Sequence, residues 1–227
     1  MRATRGGAMR GLFVTLEGIE GSGKSTQAHL LAEGLRAREE RVVVSREPGG
    51  TAFGKTLRGL LLDPAAGSIA PLAELFLYLA DRAQHVREVI APALERGECL
   101  ICDRFADATV AYQGCGRGLE LAFIAEASAR AAGGLVPDLT ILLDCEDVGA
   151  GVARARRRQA GDGTAGTEDR FEREDLAFHR RVRDGYRALA ASSSPRFLVL
   201  PAEQPVDDLH RRILTEVLAL RGAQGTA

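Results

Sequence analysis

Lysine is nearly missing from this 227-residue chain: Lys24 and Lys55 stand against 28 arginines. Where a lysine survives on such a background, its compact ammonium points to a need that the forked guanidinium does not meet. A net charge is lacking too. Thirty basic and 31 acidic side chains leave a formal charge of −1. That gives no global attraction to nucleic acid or an acidic membrane and argues against a non-specific polyanion binder, while leaving room for a local basic patch. No apolar run approaches the roughly 18–20 residues of a membrane span. Three arginines precede Gly11, but the apolar stretch that follows is broken at Glu17, too short for a secretory signal. Cysteine is sparse, at 99, 102, 115 and 145. Cys99 and Cys102 form a C-x-x-C, yet they flank Leu100 and Ile101 in an apolar run. No second C-x-x-C or H-x-x-H accompanies them, so they read as buried strand cysteines, and Cys115 and Cys145 as unpaired. A reducing, cytoplasmic compartment is the expectation.

What is present has globular proportions, 45% hydrophobic and 27% charged, in a length that suits one domain. Residues 1–10 are small, basic and aperiodic and read as a mobile arm, with Met9 a possible start. A single domain is expected over 11–221, and a frayed tail over 222–227. Apolar, β-rich runs predict strands at 12–17, 41–46, 98–103, 139–144 and 196–200, of which 41–46 reads as buried and 139–144 as an interior parallel strand. Between them, helical periodicity falls after GKST through Leu35, then at 53–62, 72–83, 120–132, 148–158, 172–190 and 206–220. Pro71 opens one helix, and Pro92 predicts a boundary or kink. Strands alternating with helices imply a five-stranded parallel sheet covered on both faces, a doubly wound α/β domain.

One motif is complete. Gly18-Ile19-Glu20-Gly21-Ser22-Gly23-Lys24-Ser25 fits G-x-x-x-x-G-K-[ST], follows an apolar strand and opens a helix. Glycines let successive N–H groups curl inward on phosphate oxygens, and the helix N-terminus adds partial positive charge. Residues 18–26, through Thr26, are thus expected to bind a nucleoside triphosphate. Lys24 reaches its β and γ phosphates and Ser25 reaches Mg²⁺. The acid that completes the metal site should end a neighbouring strand: Asp103 is the first candidate and Asp144 its rival.

Four further clusters need a common explanation: Arg46-Glu47-Pro48-Gly49-Gly50-Thr51 with Arg58; Tyr78 and Arg82, one helical turn apart; Asp103-Arg104-Phe105 followed by Thr109, Tyr112, Gln113 and Gly114; and Arg154, Arg156, Arg157 and Arg158 before a glycine-rich segment. REPGGT, the D-R-A-Q segment, D-R-F-x(5)-A-Y-Q-G and the arginine-rich run, in this order, resemble bacterial thymidylate kinases over nearly the whole chain from Gly11 to about Leu220. The resemblance implies a P-loop kinase fold with a lid at about 154–172. It also implies ATP and dTMP as substrates, Mg²⁺ as cofactor, a homodimer, and neither nucleic acid nor membrane as partner.

Residue by residue, it implies that Arg58 and Arg104 hold the acceptor's phosphate and that Arg82 bonds the thymine carbonyl. Tyr78 stacks on the base where phenylalanine is more usual, with Phe76 as the fallback although ordinary core suits Phe76 better. Thr109 contacts the thymine edge, Tyr112 lies against the sugar, and Glu47, Pro48 and Gln113 complete the acceptor set. Glu20 receives the 3′-hydroxyl, Arg154 lies nearer the adenine, and Arg158 or a neighbour supplies transition-state charge. Three departures from the pattern stand out: Ala108 for a serine, no proline after Asp144, and a longer 159–168 segment. No general base is needed, because the acceptor phosphate, with a second pKa near ~6, is already an anion. No histidine lies in a motif; His85, the nearest, reads as surface or helix packing. Another nucleoside or nucleotide kinase of the same fold, for example a deoxynucleoside kinase, is the closest rival, and REPGGT and A-Y-Q-G argue against it; a P-loop regulatory ATPase is the other, and it leaves the arginine-lined acceptor cluster unexplained.

Overall fold

A computed structural model describes residues 11–63, 67–161 and 170–225. The arm at 1–10 and residues 162–169 of the lid segment lie outside them. The strands β1 (Leu12–Glu17), β2 (Val42–Arg46), β3 (Cys99–Asp103), β4 (Leu139–Asp144) and β5 (Phe197–Pro201) form one sheet in the order β2-β3-β1-β4-β5, every pairing parallel. All six residues of β1 are buried, as the continuous apolar run of an interior parallel strand requires. Leu12, Val14 and Leu16 face one side and Phe13 the other, so a two-residue period feeds two separate cores. The reading of 41–46 as buried is corrected: β2 is an edge strand and Val44 is 44% exposed. Cys99 and Cys102 belong to opposite cores, which rules out a shared metal or a disulfide between them, and all four thiols are free.

The helices are α1 (Lys24–Arg36), α2 (Ala52–Leu62), α3 (Pro71–His85), α4 (Ala91–Glu95), α5 (Ala106–Thr109), α6 (Leu121–Ala131), α7 (Val148–Gly161), α8 (Leu176–Ser192) and α9 (Val206–Gly225). Pro92 stands at the expected boundary, at the start of a short further helix. A π-helical turn, Val86–Ile90, joins α3 to α4 and leaves the proline in the first turn of α4, where its missing N–H is no loss. Helix α8 begins at Leu176 and not at 172, because the Asp175 carboxylate caps it by accepting from the Phe178 N–H at 2.6 Å. A 3₁₀ turn, Arg170–Arg173, precedes it. Helix α9 continues to Gly225, beyond the Gly222 at which a tail was expected.

The sequence periodicity misses one segment entirely. After α5 the chain continues as a π helix, Val110–Gly116, packed on α8. Gly116 stands where an added Cβ would come within 2.7 Å of the Phe178 ring. The contact therefore depends on a residue that carries no periodic hydrophobic signal. Strands β1, β3 and β4 end in Glu17, Asp103 and Asp144, so the carboxyl edge of the sheet is lined with acids.

Candidate active site

Loop 18–25 runs from the end of β1 into α1. Gly18, Gly21 and Gly23 have φ of 136, 70 and 96°. Gly21 is obligatory twice over, since a Cβ there would also lie 1.9 Å from the Gly151 carbonyl of α7. The Lys24 ammonium folds back over the loop and donates to the carbonyls of Gly18 (2.9 Å) and Ile19 (2.7 Å). Burial, with the Arg104 charge adding, pushes its pKa down to about 8. The Ser25 hydroxyl donates to Asp103 Oδ2 at 2.8 Å. Asp144 is instead held bidentately by Arg183 of α8, at 2.6 and 2.9 Å. Of the two acids considered from sequence, Asp103 is therefore the one that faces the loop.

Arg104, in left-handed backbone at φ 73°, turns its guanidinium into the site. Its Nη2 donates to Glu20 Oε1 (2.8 Å) and the Tyr112 hydroxyl (2.9 Å), and its Nη1 donates to the Tyr186 hydroxyl (3.1 Å). Each tyrosine passes its own proton on, Tyr112 to Glu20 at 2.6 Å and Tyr186 to Glu17 at 2.7 Å. Burial opposes the Glu20 charge, yet Arg104 and His179 hold its carboxyl well below the usual range. Glu17 goes the other way. Burial, with Asp107 adding, pushes it up to about 7 although the Phe105 N–H and Tyr186 both donate to it.

One cleft of about 1060 Å³ collects all ten residues expected to bind the acceptor: Glu20, Glu47, Pro48, Arg58, Tyr78, Arg82, Arg104, Thr109, Tyr112 and Gln113. Gly21, Gly23, Lys24, Ser25 and Asp103 form its other wall. Arg82 is buried and already heavily engaged, with Nε on Glu47 Oε2 (3.0 Å), Nη2 on Thr109 Oγ1 (2.9 Å) and the Phe105 carbonyl (3.0 Å), and Nη1 on Ser128 at 3.4 Å. Arg58 donates to the Pro48 carbonyl at 3.0 Å. Tyr78 faces the cleft, its ring 6.4 Å from that of Phe171.

Phe76 is corrected: 51% exposed and edge-on to Phe123, it is neither core nor a wall of the cleft. Arg154 reaches the loop itself, donating to the Gly21 carbonyl at 3.1 Å, and Arg156 donates to the Glu172 carbonyl. Arg157 is exposed, and the Arg158 side chain lies outside the described residues.

Several site residues escape the sequence reading. Glu17 ends an otherwise apolar strand, a visible anomaly. Tyr186 is one of only three tyrosines, which was the one available hint. Glu74 is fully buried and accepts from Gln113 (2.7 Å), Arg117 (3.2 Å from both Nε and Nη2) and Arg170 (2.5 Å). Phe171 lines the cleft. His85 is corrected from surface or helix packing to a fully buried ring between Ser45 (2.6 Å) and Glu47 (2.9 Å). His179 is also fully buried, beside Glu20.

Comparison with known proteins places these features. A family model described as Thymidylate kinase matches residues 16–213. A protein named thymidylate kinase from Desulfovibrio desulfuricans is 54% identical over 198 residues, 87% of this chain and 91% of that protein. Its namesake from Deinococcus radiodurans is 52% identical over 208 residues, 92% and 97% of the two chains. The crystal structure of thymidylate kinase from Ehrlichia chaffeensis superposes with a TM-score of 0.74 at 32% identity, covering 91% of this chain and 98% of that one.

The raised Glu17 carboxyl sets a pH dependence of stability. Below an ordinary carboxylate pKa both folded and unfolded chains hold the proton, and the group is neutral to stability. Between about 4.5 and about 7 the unfolded chain releases it and the folded chain keeps it, so stability falls with rising pH, by as much as about 3 kcal/mol. Glu17→Gln removes that loss. Urea midpoints at pH 5 to 8 should show the variant gaining on wild type as pH rises; parallel curves would contradict the raised pKa.

Proposed function

The chain belongs to the thymidylate kinase family and transfers the γ-phosphoryl group of ATP to dTMP, giving dTDP for dTTP synthesis; from that premise we propose how its residues share the work. One observation carries the scheme: the phosphate loop and every acceptor residue face a single cleft, joined across it by the Glu20–Arg104 pair. Phosphoryl transfer asks little covalent chemistry of a protein and much positioning. Residues 18–26 wrap the ATP phosphates with backbone N–H groups, and Lys24 swings from the loop carbonyls to the β and γ oxygens. Arg154, already on the loop, lies toward the adenine. Ser25 and Asp103 present hard oxygens a hydrogen bond apart, a donor set that suits Mg²⁺, which keeps waters and takes phosphate oxygens for its remaining ligands. Bound there, Mg²⁺ neutralises charge on the triphosphate.

On the acceptor side Arg58 and Arg104 hold the dTMP phosphate in line with the donor. Tyr78 stacks on thymine. Arg82 and Thr109, already bonded to each other, read its edge, and Glu47, Pro48 and Gln113 shape the pocket behind. Glu20 takes the 3′-hydroxyl and Tyr112 lies where a 2′-hydroxyl would stand. Arg158, by its position among the arginines of α7, supplies positive charge to the transition state. No residue acts as general base.

Assembly follows from a second surface. Phe53 and Leu60 of α2, Leu72 and Phe76 of α3, and Leu121 and Phe123 of α6 are 41–51% exposed, and α3 packs against both α2 and α6. An apolar face of this kind marks an interface, and a homodimer through it gives Phe76 its role. Four free cysteines fit a reducing cytoplasm. No helix among the described residues is long and apolar enough to cross a membrane.

Three outcomes test the scheme. Lys24→Ala should lower kcat more than a hundredfold, the loss of about 3 kcal/mol or more from one preorganised contact to the transferring group. A folded variant retaining most of its kcat would refute the loop's role. Tyr78→Ala should lower kcat/KM for dTMP roughly 5- to 150-fold, on the scale of about 1–3 kcal/mol per base stack, with Tyr78→Phe close to wild type. A large fall in Tm with unchanged dTMP kinetics would instead mark Tyr78 as core. Phe76→Glu should shift sedimentation equilibrium from dimer to monomer, and an unchanged dimer would move the interface elsewhere.

A further inference from the structure

We propose that His179 is a positioning residue for the acceptor: it grips Glu20 from behind, so that the carboxylate presents a fixed edge to the 3′-hydroxyl of the incoming nucleotide. The inference rests on the assignment of Glu20 to that hydroxyl. His179 lies on α8 with 0% exposure, and its Nδ1 is 3.3 Å from Glu20 Oε2. Neither ring nitrogen has a hydrogen-bond partner, nor does Oε2, and all three atoms are inaccessible to solvent. Three stranded polar atoms in one place are unusual, because buried polar groups in folded proteins are nearly always satisfied. Exceptions are kept where a function uses them.

The geometry says what the use is. Glu20 Oε1 takes both donors that come from the acceptor side, Arg104 Nη2 at 2.8 Å and the Tyr112 hydroxyl at 2.6 Å. Two donors on a single oxygen locate that oxygen but leave the carboxylate plane free to turn about it. A contact on Oε2 removes that freedom. His179 is the side chain placed to supply it, 3.3 Å from Oε2, on a helix whose first turn is fixed by the Asp175 cap, with its own ring braced edge-on against Phe178 at 5.5 Å.

The test compares kcat/KM for dTMP with that for 3′-deoxy-dTMP at saturating ATP and Mg²⁺, with Tm measured alongside, in wild type, His179→Phe, His179→Asn, His179→Gln and Glu20→Gln. Asparagine places an amide nitrogen near the position of Nδ1; glutamine places it near Nε2, away from Glu20. His179→Phe and His179→Gln should lose about tenfold of the preference for dTMP, chiefly through KM, while the 3′-deoxy substrate changes less than about twofold. His179→Asn should keep most of the preference. Equal losses on both substrates, or no difference between the Asn and Gln variants, would make His179 core filler and overturn the proposal; that pair decides the matter even where the Phe variant does not fold. An unchanged preference in Glu20→Gln would sink the assignment of Glu20 itself, a separate result from failure at His179.

Discussion

Glu17, Glu20 and Arg104 are ionisable groups withdrawn from water at the carboxyl edge of a parallel sheet, and each is tolerable there because the others satisfy it. An isolated buried charge is costly, and pairing recovers the cost only where the remaining donors and acceptors are also met. Here two tyrosine hydroxyls complete the set, each accepting from Arg104 and donating to a glutamate. The members come from the end of β1, the phosphate loop, the end of β3, the π-helical segment and α8. Seating α8 against the sheet and assembling the site are therefore one event. The substrate meets a network whose polar atoms are already aimed, which is what phosphoryl transfer most needs from a protein.

Much of the architecture was legible because the interior strands are apolar throughout and the phosphate loop is a complete local motif. Elements with a periodic hydrophobic face, such as α1 and α6, were read almost to the residue. The π-helical Val110–Gly116 was not, since its glycines serve close approach, Gly114 to α6 and Gly116 to α8, and leave no periodicity. The edge position of β2 was hidden because burial depends on where a strand pairs, and Val42–Val44 looks like any core strand. In the site, the acceptor residues expected from contiguous motifs, together with Lys24, Ser25 and Asp103, line one cleft. Glu17, Glu74, Tyr186, His85 and His179 were missed, because each owes its importance to a partner between 38 and 169 positions away.

The excess of arginine over lysine also has a structural explanation. Arg82 makes four hydrogen bonds and Arg104 three, each to several different acceptors in fixed directions. A planar fork can tie separate chain segments together in this way; a single ammonium is less able to. Lys24 does the other task, a compact charge that rests on carbonyls and can turn to phosphate oxygens.

The Glu74 carboxylate, sealed beneath the cleft, has a bearing on descent. Gln113 of the cleft wall, Arg117, and Arg170 of the 3₁₀ turn before α8 all donate to it, and losing any one leaves the rest facing an under-compensated buried acid. Single replacements at these four positions are penalised, while concerted ones are not. Among descendants of this gene the quartet should be inherited as a block or exchanged as a block. A change at the cleft wall would then drag the turn before α8 with it.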